Sequence, residues 1–224
     1  GASSSSNESS ARNSARSAGL VNAGGSTHNA MEDIALMKAL VNMTVLSIGD
    51  PNMIATLMRH SMTYEHPVYL RIGKGKADRM LYDPATTDTP IGTGLVARDG
   101  GAATIFAHGE IVWQALQAAD ELAADGIDVR VIDMYTIKPL DIESVVRAAE
   151  TTGAVVAAEN HNVIGALGSA VAEALSENCP VPLERVGVMD RFGEVGPQEY
   201  LMDIFHLTAG DIVEKAKRAI ERKR

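Results

Sequence analysis

Apolar residues recur along this chain with two alternating spacings. Short runs rich in Val, Ile and Leu, such as "MTVLSI" (43–48) and "AVVAAE" (154–159), have the length and composition of strands. Longer segments such as "EIVWQALQAADELAADG" (110–126) place apolar residues every third or fourth position, which is typical of a helix with one buried face. This repeated alternation with short loops predicts an α/β protein with largely parallel sheets.

The individual elements follow from these spacings and from local start signals. Asp50 before Pro51 is typical of a helix start, and Asp141 opens a D-x-x-S start. Asn29 and Glu32 have the spacing of a capping box, so Asn29 is predicted to cap the first helix. The pattern predicts strands at 43–48, 66–73, 101–109, 128–134, 154–159 and 182–188, and helices at 29–40, 50–62, 110–126, 141–153, 167–177 and 209–222.

The predicted elements divide the chain into four regions. Residues 1–17 contain eight serines and no large apolar residue, so we predict a flexible segment. Residues 18–75 carry one α/β unit, and residues 76–99 are rich in Asp, Pro, Thr and Gly, which predicts a linker. Residues 100–224 carry a second α/β unit, for which we predict a five-stranded, mostly parallel sheet.

Composition narrows the partners that we expect. The 224 residues carry a formal net charge of −9, which argues against nucleic-acid binding. No apolar run approaches the roughly 20 residues of a membrane span, and the beginning of the chain has no apolar stretch typical of a signal peptide. The single cysteine, Cys179, fits a reducing compartment, so we expect a cytoplasmic protein that contacts neither nucleic acid nor membrane.

Several long motifs resemble one family in the correct order. The stretch "STHNAMEDIALMKALVNMTVLSIGDPN" (26–52) is similar to the second half of the pyrimidine-binding domain of transketolases, and "HPVYLRIGKG" (66–75) to its strand ending in an arginine. "VRVIDMYTIKPLD" (129–141) and "MDRFGEVGPQEYLMDIFHLTAGDIVEKAKRAI" (189–220) resemble the C-terminal domain of split, two-subunit transketolases. Regions 18–75 and 100–224 are therefore interpreted as a partial pyrimidine-binding domain and a transketolase C-terminal domain.

The resemblance implies an activity and a set of partners. Transketolases move a two-carbon ketol unit between sugar phosphates, as in the pentose phosphate reactions, using thiamine diphosphate with Mg²⁺ or Ca²⁺. The family places its G-D-G metal motif in an N-terminal domain or subunit, and this chain has no such motif. We therefore expect a homodimer formed through the C-terminal domain, an N-terminal partner that holds most of the cofactor and its metal, and no activity from this chain alone.

The resemblance also suggests roles for three residues. His28 matches a position near the reacting carbons, where a histidine hydrogen-bonds substrate hydroxyls and helps proton transfer. Arg71 matches a phosphate-binding position that suits a bidentate arginine fork, and Arg16 lies near an upstream position with the same role. The alternatives are a solvated histidine at a helix entry and a surface ion pair at Arg71. No residue of this chain is assigned to the cofactor or to a metal.

Other interpretations stay open at this point. Residues 1–27 match neither the family's cofactor-activating glutamate nor its stacking aromatic, which favours a non-catalytic dimerisation and assembly module, a truncated chain or a degenerate one. Deoxyxylulose-phosphate synthases and the beta subunits of 2-oxoacid dehydrogenases share the same architecture. His108 is interpreted as a turn histidine rather than an anion ligand, and Glu159 with His161 as part of an interface loop rather than the start of a metal site.

Overall fold

The fold contains two sheets and seven helices within the described part of the chain. A computed structural model describes residues 14–17, 29–73 and 80–223. The strands are β1 (Ser14–Ser17), β2 (Thr44–Ile48), β3 (Val68–Ile72), β4 (Leu95–Arg98), β5 (Thr104–Ala107), β6 (Arg130–Asp133), β7 (Thr136–Lys138), β8 (Val155–Asn162) and β9 (Leu183–Val188). The helices are α1 (Asp33–Ala39), α2 (Pro51–Thr63), α3 (Ile111–Ala124), α4 (Ile142–Thr152), α5 (Leu167–Asn178), α6 (Gln198–Ile204) and α7 (Ala209–Glu221).

The larger sheet confirms the predicted architecture of the second unit. Its strand order is β4-β6-β5-β8-β9. Strands β6, β5, β8 and β9 pair in parallel with their neighbours in that order. Strand β4 is antiparallel to its neighbour β6. The predicted strands at 101–109, 128–134, 154–159 and 182–188 thus all contribute to one mostly parallel, five-stranded sheet.

The smaller sheet draws three strands from the first half of the chain and one, β7, from the second half. Its order is β1-β3-β2-β7, with β1, β3 and β2 parallel. Strand β7 begins three positions after β6 ends and pairs antiparallel with β2, with Val45 opposite Lys138 and Leu46 opposite Thr136. Because β6 and β7 lie in different sheets, this short connection ties the two sheets together.

Helices cover both faces of the larger sheet, as right-handed crossovers require. One core cluster places Ile105, Val131 and Val156 of the sheet against α3 and α7. On the other face a second cluster packs α4 and α5 against the same strands and also includes Ile34 of α1 and Val45 of β2. The two sheets therefore share buried apolar surface. No helix in the described ranges is long and apolar enough to cross a bilayer.

The local start signals are confirmed at two helices. The Asp50 side chain accepts a hydrogen bond from the Asn52 N–H at 2.7 Å, and Pro51 is the first residue of α2. Asp141 accepts from the Ser144 N–H at 3.0 Å at the start of α4. Both caps satisfy backbone donors that have no partner inside the helix.

Three expectations need correction. Helix α1 begins at Asp33 after Glu32, not after Asn29, and its N-cap residue makes no side-chain hydrogen bond. Residues 14–17 form β1, which pairs in parallel with β3, so the end of the Ser-rich segment 1–17 includes a strand. The predicted linker 76–99 includes β4, whose pairing with β6 gives that stretch a place in the larger sheet.

Candidate functional site

Polar side chains collect where strand ends of both sheets meet. Parallel strands place their carboxyl ends at one edge of a sheet, which is where α/β proteins usually form sites. Here the ends of β2, β3, β5 and β8 face each other across the two sheets and carry buried polar side chains. These are Ser47, Arg71, His108, Glu159, Asn160 and His161.

Arg71 joins the two halves of the chain. It is only 4% exposed. Its Nε donates to Asp33 Oδ2 at 2.9 Å, and its Nη2 donates to the carbonyl oxygens of Ala30 at 3.0 Å and Asn160 at 2.8 Å. Of the three guanidinium nitrogens of Arg71, Nη1 is the one without a hydrogen-bond partner among the described residues. Because Nε and Nη2 are engaged within the fold, Nη1 with its two N–H groups is the nitrogen of Arg71 that remains for a ligand.

Asp33 is the acidic partner in this cluster and the first residue of α1. Its Oδ2 also accepts from the Tyr69 hydroxyl at 2.7 Å. Burial by itself raises the pKa of Asp33, but the charge of Arg71 and the hydrogen bonds from Arg71 and Tyr69 together hold that pKa below its usual value. Asp33 is therefore a carboxylate at neutral pH, close to the positive end of α1.

His161 connects the end of β8 to the first turn of α1. Its Nδ1 lies 2.7 Å from the Asn162 carbonyl oxygen, which only accepts, so Nδ1 carries a proton. Its Nε2 accepts from the Ala35 N–H at 3.4 Å, which identifies the neutral ring. Burial is the largest influence on this ring and lowers the pKa of His161 below its usual value.

His108 directly follows β5, just before a turn, and is buried between the two sheets. Its Nδ1 lies 2.8 Å from the Ser47 hydroxyl, and its Nε2 lies 3.6 Å from Glu159 Oε2. Burial lowers the pKa of His108 although the nearby carboxylate acts in the opposite direction. Glu159 itself accepts from the N–H groups of Leu167 and Gly168, both at 2.9 Å, at the start of α5.

The structure places only part of the predicted site. His28 lies outside the described residues and directly precedes Asn29, the first residue described there. Arg16 belongs to β1, where its Cα pairs with that of Arg71, and its side chain lies outside the described part. Sequence reasoning missed the clustering of Asp33, Asn160 and His161. The signal that could have revealed this cluster is Arg71 in a largely apolar strand, because a buried charge of this kind needs a buried acceptor.

The described residues do not by themselves fit a thiamine diphosphate metal site. Within residues 29–73 and 80–223, no group of three or more His, Cys, Asp and Glu side chains is placed to hold a metal ion. His161 and Glu159 in particular are engaged with backbone N–H groups. No step of a reaction is therefore assigned to a metal or to the cofactor on these residues.

These features define an α/β protein with two adjoining sheets and a polar cluster between their strand ends. Residues 92–212 match the family model of the transketolase C-terminal domain. This match covers more than half of the chain, and the chain belongs to that family.

Known relatives agree with this assignment. The chain is 46% identical over 199 residues to the 6-deoxy-6-sulfo-D-fructose transketolase subunit SqwH of Clostridium sp. strain MSTE9, covering 89% of this chain and 61% of that protein. It is 32% identical over 207 residues to the 1-deoxy-D-xylulose-5-phosphate synthase of Heliobacterium modesticaldum, covering 92% of this chain and 32% of that protein. The chain thus spans only part of the length of these relatives.

A solved structure is similar over almost the whole chain. It is described as a split gene transketolase, inactive beta4 tetramer, and it shares 42% sequence identity with a TM-score of 0.86. The similarity covers 95% of this chain and 67% of that one. At this identity and TM-score the fold is shared.

Proposed function

We propose that this chain is the C-terminal section of a thiamine diphosphate-dependent transketolase that moves a two-carbon ketol unit between sugar phosphates. The observation that carries the proposal is the likeness to a split gene transketolase at 42% identity over 95% of this chain. In the proposed enzyme an N-terminal subunit brings the cofactor's diphosphate site and its Mg²⁺. The assembly is multimeric, with a homodimer formed through the C-terminal domain, and acts in the cytoplasm.

His28 is the proposed catalytic residue of this chain. In the sequence it follows Gly24 and Gly25 and precedes the entry to α1, in a stretch that resembles the family. A histidine titrates near neutral pH, so it can hydrogen-bond a sugar hydroxyl in one protonation state and transfer a proton through the other. Its task is to orient the donor sugar at the carbon atoms where the bond is broken and formed.

Arg71 and Arg16 are the proposed phosphate contacts. The Cα atoms of the two residues are paired in the parallel strands β1 and β3. Two arginines at neighbouring strand positions provide a positive field for a sugar phosphate. From Arg71 the available donor in the described part of the chain is Nη1, because Nε and Nη2 already serve Asp33, Ala30 and Asn160.

A reconstitution experiment tests the proposed activity. The chain, an N-terminal transketolase subunit and their mixture are assayed with a ketose phosphate donor, an aldose phosphate acceptor, thiamine diphosphate and Mg²⁺. We expect ketol transfer only from the mixture, and only when the N-terminal subunit or a longer form of this chain brings the cofactor-activating glutamate and the stacking aromatic that residues 1–27 do not match. His28→Ala should lower kcat by about 100-fold, in the range of a lost general acid–base group. His66→Ala is the matched control, since His66 is an exposed histidine of the same unit.

Two results would contradict the proposal. Ketol transfer by the chain alone would show that it holds a complete site, and a stable mixed complex with no transfer would show that it is an assembly module. Calorimetry adds an independent check, because we expect the isolated chain to bind thiamine diphosphate with Mg²⁺ only very weakly. Micromolar binding would mean that the segment before residue 29 contains an unrecognised part of the cofactor site.

The related synthase suggests a second candidate activity. The chain is 32% identical to a 1-deoxy-D-xylulose-5-phosphate synthase. The same reconstituted mixture is therefore assayed with pyruvate as donor. We expect the ketose phosphate to be preferred, and a preference for pyruvate would assign the chain to a synthase instead.

A further inference from the structure

Helix α1 is too short to be stable without outside support. It has seven residues, Asp33–Ala39, and its N-cap residue Glu32 contributes no side-chain hydrogen bond. Isolated helices shorter than about 12 residues are marginal in water. The backbone groups at the start of such a helix also need partners, because they have none inside the helix. The support must come from elsewhere in the fold.

The end of β8 provides that support. The Asn162 N–H donates to the Met31 carbonyl oxygen at 2.8 Å, and the Ala35 N–H donates to His161 Nε2 at 3.4 Å. These two contacts fix the backbone on both sides of the point where α1 begins. Both partners come from the second α/β unit, at the carboxyl end of its sheet.

Arg71 adds a third connection between the same two segments. Its Nη2 donates to the carbonyl oxygens of Ala30 and Asn160, so a single nitrogen bridges the entry to α1 and β8. Asp33 holds the guanidinium in this orientation through Nε at 2.9 Å. The contacts thus bind the chain at residues 30, 31, 33 and 35.

We propose that Asp33, Arg71 and His161 are positioning residues that hold residues 30–35 at the entry to α1, and that the catalytic role proposed for His28 depends on this hold. This inference rests on the proposed catalytic role of His28, which directly precedes Asn29. The C-terminal domain then does more than assemble the enzyme, because the end of its strand β8 holds the segment of the other unit that enters α1.

The protonation state of His161 matters for this arrangement. Only the neutral ring accepts the Ala35 N–H, so protonation removes that contact. The charged and titratable groups facing the ring are Asp33, whose Oδ1 lies 3.8 Å from Nε2, and Glu159, Arg71 and His108. Burial lowers the pKa of His161, which keeps the ring neutral at neutral pH.

Hydrogen exchange on the full isolated chain tests the positioning role without any activity. Asp33→Asn removes the charge that orients Arg71, and His161→Phe keeps a buried ring but removes the acceptor. We expect peptides covering 30–39 to exchange at least about ten-fold faster in both variants. Thr152→Val is the matched control, because its buried hydroxyl bonds to Ala148 and Thr104 within the second unit.

The pattern of exchange decides between a local and a global effect. Faster exchange confined to 30–39, with peptides from α3 unchanged, supports the positioning role. Unchanged exchange at 30–39 would overturn it. Equal acceleration at α3 and at 30–39 would also overturn it, since the variants would then act through unfolding of the whole chain.

Kinetics of the complex with the N-terminal subunit provide a second measurement. Loosening of residues 30–35 should lower kcat by about ten-fold or more in Asp33→Asn and His161→Phe while KM for the donor changes less than about three-fold. His161→Gln, whose amide oxygen can accept the Ala35 N–H, should recover part of the loss. If wild-type complexes show no ketol transfer, the proposed function fails, but the exchange result still decides the positioning role.

Discussion

The Lys138 ammonium group donates to the backbone carbonyl oxygens of Lys38 and Leu40, at 2.9 and 2.7 Å. These carbonyls belong to the end of α1, where the helix offers no internal donor. Strand β7 brings Lys138 there because it pairs antiparallel with β2. Both ends of α1 are therefore held by the second half of the chain, and a cation at the C-terminus also suits the helix dipole.

Removing the Lys138 ammonium group should lower the stability of the folded chain measurably. We expect Lys138→Met to lower the free energy of unfolding by about 1–2 kcal/mol, because two carbonyls lose a charged donor while the apolar stem is kept. Chemical denaturation of the full chain measures the change. Lys217→Met is the control: Lys217 makes an ion pair with Asp125 on the exposed surface, and its loss should cost less than about 0.5 kcal/mol. Equal losses for the two variants would contradict the capping role.

Arg71 is predicted to serve the substrate in addition to the fold. Arg71→Ala should raise KM for phosphorylated donors more than for unphosphorylated ones, by about five- to thirty-fold, as expected for one charged hydrogen bond. Asp33→Asn is the control, because it disturbs the same ion pair with Arg71 but removes no side chain that is proposed to bind phosphate. Steady-state kinetics of the reconstituted complex with both donor types give the ratio. If the two variants show the same ratio, Arg71 has no separate phosphate contact.

Asp133 is a buried acid that should make stability depend on pH. It is fully buried at the end of β6, its Oδ2 accepts from the Tyr82 hydroxyl at 3.2 Å, and its Oδ1 has no partner among the described residues. Burial, together with the nearby Asp50 carboxylate, raises the pKa of Asp133 to about 8. Its pKa in the unfolded chain is the ordinary one, near 3.8. The folded chain therefore favours the protonated form.

The sign of the effect follows from that difference. The stabilisation that protonated Asp133 gives the folded chain is complete below about pH 4. It is lost progressively as the pH rises toward about 8. Asp133→Asn is neutral at every pH, so its stability relative to wild type should increase from pH 5 to pH 8, by at least about 1 kcal/mol. Denaturation at both pH values measures it. Exposed Asp203→Asn should change stability by less than about 0.5 kcal/mol at each pH. A constant difference for Asp133→Asn would contradict the raised pKa.

Local patterns were sufficient for most of the fold. The six predicted strands and six predicted helices correspond to elements of the structure because each is either a run of buried apolar residues or a helix with one apolar face. The exceptions are short. Strand β7 has three residues and α6 has seven, and their pairing or packing depends on distant parts of the chain. Residues 95–98 look like a linker because none of them is fully buried and their partners in β6 come 33 to 38 positions later.

The candidate site was less predictable than the fold. The resemblance pointed to Arg71 and His28, but no local pattern reveals that Arg71 reaches Asn160, which lies 89 positions away in the chain. His108 and His161 looked like turn and interface residues because each follows an apolar strand. Their burial involves contacts with distant parts of the chain, Ser47 for His108 and Ala35 for His161. Long-range contacts of this kind are not encoded in spacing.

The close approach of Gly165 to α1 gives a last, independent test of how α1 is held. Gly165 has φ +82, and a Cβ there would lie 2.8 Å from Ala35 Cβ. Gly165→Ala should therefore cost both backbone strain and a clash with α1. Gly126→Ala is the matched control, because Gly126 has φ +78 and a Cβ there would meet nothing within 4 Å. We expect Gly165→Ala to be more destabilising than Gly126→Ala by about 1–3 kcal/mol, the usual cost of overpacking.

A double-mutant cycle isolates the contact between Gly165 and Ala35. Ala35→Gly removes the methyl group that the new Cβ would strike, at a cost of about 1 kcal/mol in helix propensity. If the contact is real, Gly165→Ala should be less harmful in the Ala35→Gly background than in wild type, by about 1 kcal/mol or more. Faster hydrogen exchange at 30–39 in Gly165→Ala should likewise return toward the wild-type rate in the double variant. Additive effects would show that Gly165 is needed for its backbone conformation alone and that the loop before α5 does not limit how closely α1 packs.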